Sequence, residues 1–195
     1  MLIILFFPFI SFSKNISLIG SCKKNNALAC KEYGLMARNS KYLKKSCDLN
    51  LGSGCTEWGL GLFKEKDTNQ GEFAFQRGCK LNDGDSCCYL GAFIHKKGNI
   101  DSAKLLYSKS CHLNSGKGCY NLGILSETTG DEGEALDSYL KACDNDIAQG
   151  CVNYAFLIEK NKGDLGLVIK LYKKACDLKS QLGCKNLAQV NNFNK

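Results

Sequence analysis

The stretch CDLNLGSGC, at positions 47–55, places two cysteines eight residues apart around a short loop that contains two glycines. The same Cys-x7-Cys frame recurs as CKKNNALAC (22–30), CKLNDGDSC (79–87), CHLNSGKGC (111–119), CDNDIAQGC (143–151) and CDLKSQLGC (176–184). From Cys55 to Cys184 the second cysteines follow one another at intervals of 32, 32, 32 and 33 residues. A fixed period in this range is typical of an array of helical hairpin repeats.

Two positions in each repeat indicate how its helices pack. Four residues after the second cysteine, the residue is small: Gly34, Gly59, Gly91, Gly123, Ala155 and Ala188. Four residues before the first cysteine, the residue is bulky: Leu43, Phe75, Tyr107, Tyr139 and Tyr172. Glycine costs a helix roughly 1 kcal/mol, so we expect close packing of a second helix to compensate. Each repeat is therefore predicted to be an αα-hairpin, with a return loop between the two cysteines of each frame.

The two ends of the array are irregular. Cys30 and Cys47 enclose about seven residues fewer than the equivalent cysteines elsewhere, which predicts a tight first hairpin with short helices. The last repeat, from Cys184, has room for only one helix. Irregular end units are typical caps of repeat arrays. We predict one all-α solenoid over residues 14–195, made of about five αα-hairpins with terminal caps.

Twelve of the thirteen cysteines lie in the six frames: Cys22, Cys30, Cys47, Cys55, Cys79, Cys87, Cys111, Cys119, Cys143, Cys151, Cys176 and Cys184. In an oxidising compartment such a set indicates a disulfide framework. A disulfide within each frame would clamp the return loop and contribute on the order of 2–3 kcal/mol. The thirteenth, Cys88, is predicted to be a partly buried thiol on a helix. An intermolecular bridge and a reactive thiol are the alternatives.

The chain begins with an apolar run, MLIILFFPFISFS, which has the length of a signal peptide and is too short to span a bilayer. Ser11-Phe12-Ser13 has the small-x-small pattern of a cleavage site. We predict a signal peptide over 1–13 and a secreted or periplasmic protein without stable membrane insertion. A buried amphipathic start and an uncleaved anchor are the alternatives.

The net charge of +7 is carried almost wholly by lysine, because Arg38 and Arg77 are the only arginines. Proteins that read nucleic acids favour arginine, so nucleic acid is not a predicted partner. The only histidines are His95 and His112, they lie in different repeats, and the chain has no Cys-x-x-Cys. A zinc site needs more ligands at close spacing, so neither a metal nor another cofactor is predicted.

The repeat resembles the tetratricopeptide pattern at Cys119, Leu122, Gly123, Ala135, Tyr139 and Ala142, although the closing proline is missing. With its Cys-x7-Cys frames, the chain from Cys22 to Leu187 resembles the Sel-like repeat proteins. More narrowly, it is similar to the Helicobacter cysteine-rich protein family of exported, disulfide-linked αα-solenoids. That resemblance implies a β-lactamase or penicillin-binding protein that hydrolyses the β-lactam amide. It equally implies a secreted protein that engages peptide or host partners.

Catalytic residues are not evident in the sequence. Serine β-lactamases place a lysine one helical turn after the nucleophile, in Ser-x-x-Lys. Ser21 and Ser138 begin such matches, but the chain has no Lys-Thr-Gly or Ser-Asp-Asn companion. Composition alone would produce about as many matches. Ser138 also suits a surface position on the second helix of its hairpin, and the catalytic residues stay unassigned.

A binding surface is indicated by the asparagine column, which stands two residues after the second cysteine and consists of Asn121, Asn153 and Asn186. Asparagine is a poor helix-interior residue, and its amide can both donate to and accept from a peptide backbone. We predict that the column lines a peptide-binding groove, with simple solvent exposure as the alternative. The protein would then be a non-catalytic, monomeric scaffold for a peptide or protein ligand.

A second column, of cations two residues before the first cysteine, consists of Lys45, Arg77, Lys109, Lys141 and Lys174. Each lies near the end of a predicted helix, where the helix dipole favours positive charge. A solvated basic face is the prediction, and a docking surface for acidic polymers or lipid headgroups is the alternative.

Overall fold

The computed structural model describes the backbone of residues 7–193 and the side chains of residues 15–192. Within residues 7–193 all regular secondary structure is α-helical, in twelve helices. The predicted signal peptide begins in residues 1–6, which lie outside the described residues. The chain divides into two compact units, residues 1–86 and residues 87–195. The predicted fold class, an all-α array of αα-hairpins cross-linked by disulfides, is confirmed.

The first unit contains the irregular first hairpin. Its helices are α1 (Phe7–Lys23), α2 (Ala27–Met36), α3 (Ser40–Asp48), α4 (Gly52–Lys64) and α5 (Thr68–Lys80). Helices α2 and α3 have 10 and 9 residues, whereas α4 and α5 have 13 each. The shorter distance between Cys30 and Cys47 is therefore explained by the shortening of both helices of this hairpin.

Helix α6 (Gly84–Lys96) begins at the end of the first unit and continues into the second. The other helices of the second unit are α7 (Ile100–His112), α8 (Gly116–Thr128), α9 (Glu132–Asp144), α10 (Ala148–Lys160), α11 (Leu165–Asp177) and α12 (Gln181–Phe193). The single 33-residue interval arises in the turn between α10 and α11. That turn has one residue more than the turn between α8 and α9.

The return loops reverse direction at one defined position. The third residue after the first cysteine has a positive φ in every frame: Asn25, Asn50, Asn82, Asn114, Asp146 and Lys179. Asparagine and aspartate tolerate this left-handed conformation better than other residues with a side chain. In the fourth such loop of the array, the amide of Asn114 donates to the Cys111 carbonyl at 3.0 Å. The next residue, Ser115, then caps α8 by accepting from the amide of Gly118.

Disulfides clamp these loops. Five have Cα–Cα distances of 4.4–4.6 Å, in the frames that begin at Cys22, Cys47, Cys111, Cys143 and Cys176. Cys79 and Cys87 are disulfide-bonded as well. Each of the five ties the end of one helix to the first turn of the next, which fixes where the second helix begins.

Within the hairpins, the small column faces the bulky column. A Cβ atom built on Gly123 would lie 2.6 Å from the ring of Tyr139, and one on Gly59 would lie 2.6 Å from the ring of Phe75. The rings of Tyr139 and Phe75 are themselves buried. The predicted close approach of the two helices is therefore observed in both units.

Candidate functional site

A cavity of about 430 Å³ lies in the second unit between α10, α11 and α12. Pockets that hold small ligands or peptide side chains have volumes of roughly 300–1,000 Å³. Two members of the asparagine column, Asn153 on α10 and Asn186 on α12, line its wall. Each stands two residues after a disulfide-bonded cysteine, so the two clamped loops place both amides in the same register.

The wall contributed by α11 is Tyr172, whose side chain is almost fully buried. Its hydroxyl donates to Oε2 of Glu159 at 2.9 Å, and the Asn186 side chain lies close enough to influence its pKa. Burial and the nearby carboxylate raise the pKa of Tyr172 above its ordinary value, although the Asn186 amide partly opposes the shift. Glu159 is exposed and also lines the cavity, so one side of its carboxylate is held by the protein while the rest faces solvent.

The same network occurs one repeat earlier. The Tyr139 hydroxyl donates to Oε2 of Glu127 at 2.7 Å, and the Asn153 side chain lies close enough to influence its pKa. Burial, followed by the hydrogen bond to Glu127, raises the pKa of Tyr139. Buried tyrosine hydroxyls usually need a partner, and the glutamates supply it to Tyr139 and Tyr172. Asn153 and Asn186 thus lie next to a tyrosine of the preceding hairpin as well as lining the cavity.

The third member of the column, Asn121, lies elsewhere in the second unit. Its amide donates to Sγ of Cys88 at 3.3 Å. Cys88 is buried on α6 and is not part of a disulfide. The tyrosine of this repeat is Tyr107, and burial and the nearby Cys88 raise its pKa to about 12. The ring of Tyr107 contacts the ring of His95 edge-on, with the two centroids 6.2 Å apart. The structure therefore brings two of the three predicted residues to the cavity.

Apolar residues complete the cavity, and none of them was among the predicted site residues. Phe156 and Leu182 are 53% and 54% exposed, while Val152 and Val190 are buried. A signal for Leu182 exists in the sequence. The residue two before the second cysteine is polar in the four preceding repeats, where it is Ser53, Asp85, Lys117 and Gln149.

The first unit has a cavity of its own, of about 740 Å³, between α2, α3 and α4. It lies beside the shortened first hairpin, where α2 ends three residues earlier in its repeat than α4 does in the next. Its charged lining residues have both signs, namely Arg38, Glu57, Lys64 and Glu65. Glu57 occupies the position of the asparagine column in this repeat. The larger cavity therefore lacks the asparagines that led to the binding prediction.

Neither Ser21 nor Ser138 has the surroundings of a nucleophile. Ser138 is 3% exposed on α9, so its predicted surface position is wrong. Ser21 is half-buried near the end of α1, and Lys24 lies beyond that helix. Neither serine lines either of the two cavities.

Three members of the basic column contact the ends of helices. Lys45 donates from Nζ to the Cys22 carbonyl at 2.9 Å, and Lys174 donates to the Cys143 carbonyl at 2.7 Å. Arg77 likewise contacts both the carbonyl and the carboxylate of Asp48. These carbonyls lie in the last turn of a helix, where positive charge is favourable. The carbonyls of Cys22 and Cys143 also accept from a loop amide, so the lysine is a second donor to each. These three cations therefore connect consecutive repeats.

The described residues include no group of three His, Cys, Asp or Glu side chains placed to hold a metal ion. His112 donates from Nδ1 to the Ser108 carbonyl at 2.8 Å, if that nitrogen carries the proton. Among residues 7–193, every helix is too short or too polar to cross a membrane.

Neither a protein-family model nor a curated protein sequence matches the chain. Solved structures do: a Sel1 repeat protein from Oxalobacter formigenes has a TM-score of 0.74 and 18% identity, over 85% of this chain and 78% of that one. A protective antigen of uropathogenic Escherichia coli with an SLR fold has a TM-score of 0.73 and 17% identity, over 90% of this chain and 43% of that one. A chain of the hetero-tetramer Cut9–Hcn1 has a TM-score of 0.58 and 18% identity, over 86% of this chain and 36% of that one. With its helical hairpins and framed disulfides, this chain therefore has the Sel1-like repeat fold.

Proposed function

We propose that this chain is an exported, non-catalytic scaffold that binds an extended peptide segment of a partner protein in the cavity between α10 and α12. The observation that carries the proposal is the composition of that cavity. Asn153 and Asn186 offer amides to the backbone of an extended peptide, whose own donors and acceptors need partners. Phe156 and Leu182 offer exposed apolar surface to its side chains.

Export is supported by the disulfides and by the predicted signal peptide. Disulfides at this density form and persist in oxidising compartments, which include the periplasm and the extracellular space. A binding role is supported by the Cut9–Hcn1 structure, in which a similar helical fold belongs to an assembly of different proteins. The scaffold would meet its partner outside the cytosol.

Selection from a random peptide library displayed on phage tests the proposal. The oxidised protein is immobilised, and the enriched peptides are synthesised and titrated against variants. We expect Phe156→Ala to weaken binding at least about tenfold, because aromatic anchors of this kind carry much of the affinity at an interface. Phe73→Ala is the matched control, since Phe73 is 55% exposed and does not line this cavity. Failure to enrich any peptide that depends on Phe156 would refute the proposal.

The resemblance to the Helicobacter cysteine-rich family implied β-lactam hydrolysis, and the positions of Ser21 and Ser138 do not support it. We expect the purified, oxidised protein to leave a chromogenic cephalosporin unhydrolysed and to form no covalent adduct that is visible by mass spectrometry. Steady turnover of the cephalosporin would overturn this expectation. Turnover that persists in the double variant Ser21→Ala/Ser138→Ala would further exclude both matches as the nucleophile.

A further inference from the structure

The cavity between α10 and α12 is lined by one charged side chain, which is negative. Of the nine described residues that line it, Glu159 is the only charged one. Its Oε2 accepts from the Tyr172 hydroxyl, which fixes the carboxylate at the cavity wall. The nearest cation in sequence, Lys160, is directed to another carboxylate, with its Nζ 3.6 Å from Oε2 of Glu132. The carboxylate of Glu159 therefore has no ion-pair partner in the described structure.

Aromatic and apolar groups surround this carboxylate. Phe156 precedes Glu159 by three residues on α10, so the two side chains lie on the same face of the helix. Tyr172 contributes a second ring from α11, and Leu182 a branched apolar side chain from α12. An ammonium or guanidinium group is attracted both to a carboxylate and to aromatic faces. A carboxylate placed in the same cavity would be repelled by Glu159.

We propose that this cavity receives a basic side chain, lysine or arginine, from the extended peptide. The inference rests on the proposed function and specifies its ligand. The aliphatic stem of the side chain packs against Phe156 and Leu182, while its charged end reaches Glu159 at the exposed edge. The amides of Asn153 and Asn186 hold the adjoining peptide backbone. The first-unit cavity carries Arg38 and Lys64 beside its two glutamates, so it has no comparable preference for positive charge.

Glu159→Gln tests the charge without removing the tyrosine contact, since the glutamine carbonyl can still accept from the Tyr172 hydroxyl. Glu127→Gln is the matched control. Glu127 makes the same contact to Tyr139, at 2.7 Å, but does not line the cavity. The phage library is selected in parallel on the wild-type protein and on both variants, and the frequency of lysine and arginine among enriched peptides is compared.

We expect basic residues to be enriched on the wild-type protein and on Glu127→Gln, and the enrichment to disappear on Glu159→Gln. A synthetic copy of the most enriched peptide should bind Glu159→Gln about fivefold more weakly, as expected for a partly exposed ion pair. With norleucine in place of its basic residue, the peptide should bind both proteins equally. Peptides that depend on Phe156 but show no basic preference would overturn this inference and leave the scaffold function standing. If no peptide depends on Phe156, both fail.

Discussion

Reduction of the disulfides is expected to unfold this protein at ambient temperature. Each frame closes a nine-residue loop, and a bridge across such a loop contributes about 2–3 kcal/mol by restricting the unfolded chain. The six bridges together therefore contribute about as much as the whole net stability of an ordinary domain, roughly 5–15 kcal/mol. Thermal melts followed by far-ultraviolet circular dichroism, with and without a phosphine reductant, measure the effect. An unchanged melting temperature after verified reduction would contradict it.

Pairwise replacement separates the restriction of the loop from the packing of the sulfur atoms. Cys143→Ala/Cys151→Ala and Cys176→Ala/Cys184→Ala open loops of identical length, so their effects on chain entropy match. Cys143 and Cys151 are 1% and 0% exposed and belong to the core of the second unit, whereas Cys184 is exposed. We expect the first pair to lose about 1 kcal/mol more than the second, since it also loses buried apolar contacts. If both double variants lost the same free energy of unfolding in urea, the whole stabilisation by the disulfide would come from the restriction of the loop.

The repeat architecture could be predicted because it depends on local patterns. Cys-x7-Cys frames at a constant period, and a small column paired with a bulky one, require only that each hairpin packs against itself and its neighbours. The shortened first hairpin followed from counting residues between Cys30 and Cys47. The left-handed residue in each loop was visible in principle, since four of the six frames carry asparagine there after Cys22, Cys47, Cys79 and Cys111.

Side-chain direction around a helix was harder to predict, as Ser138 shows. The second helix of a hairpin packs against both its own first helix and the next one, so more than one stripe of it is buried. The equivalent residues in two other repeats, Ala74 and Leu171, are apolar and buried. This column therefore signalled a core position, and a serine within it was wrongly assigned to the surface.

The candidate site was predictable only in part. The register of Asn153 and Asn186 follows from the frames, so their positions on the first helices could be inferred. Their tyrosine partners could not, because each pairing joins residues 14 apart on different hairpins and depends on how those hairpins stack. The charge preference also required the structure. It depends on which charged side chains reach the cavity, and only Glu159 does.

Gly123→Ala is expected to destabilise the second unit by about 2 kcal/mol, although alanine is the better helix former. The new Cβ would lie 2.6 Å from two carbons of the Tyr139 ring, and overpacking of this kind costs roughly 1–3 kcal/mol. The ring has little freedom to move, because it is fully buried and its hydroxyl is bonded to Glu127. The only alanine that faces a tyrosine in this way, Ala155, belongs to the hairpin whose turn has the extra residue.

Gly61→Ala is expected to change the stability of the protein in the opposite direction. Gly61 lies inside α4, and a Cβ built on it has nothing within 4 Å. Its replacement should therefore stabilise the protein by up to about 1 kcal/mol through helix propensity alone. Urea unfolding of both variants measures the two changes. Combining Gly123→Ala with Tyr139→Leu should remove most of the alanine penalty, since the ring that causes the overlap is gone and contacting residues couple. If Gly123→Ala were as harmless as Gly61→Ala, or if its penalty persisted without the ring, close contact with Tyr139 would not be the reason for glycine at this position.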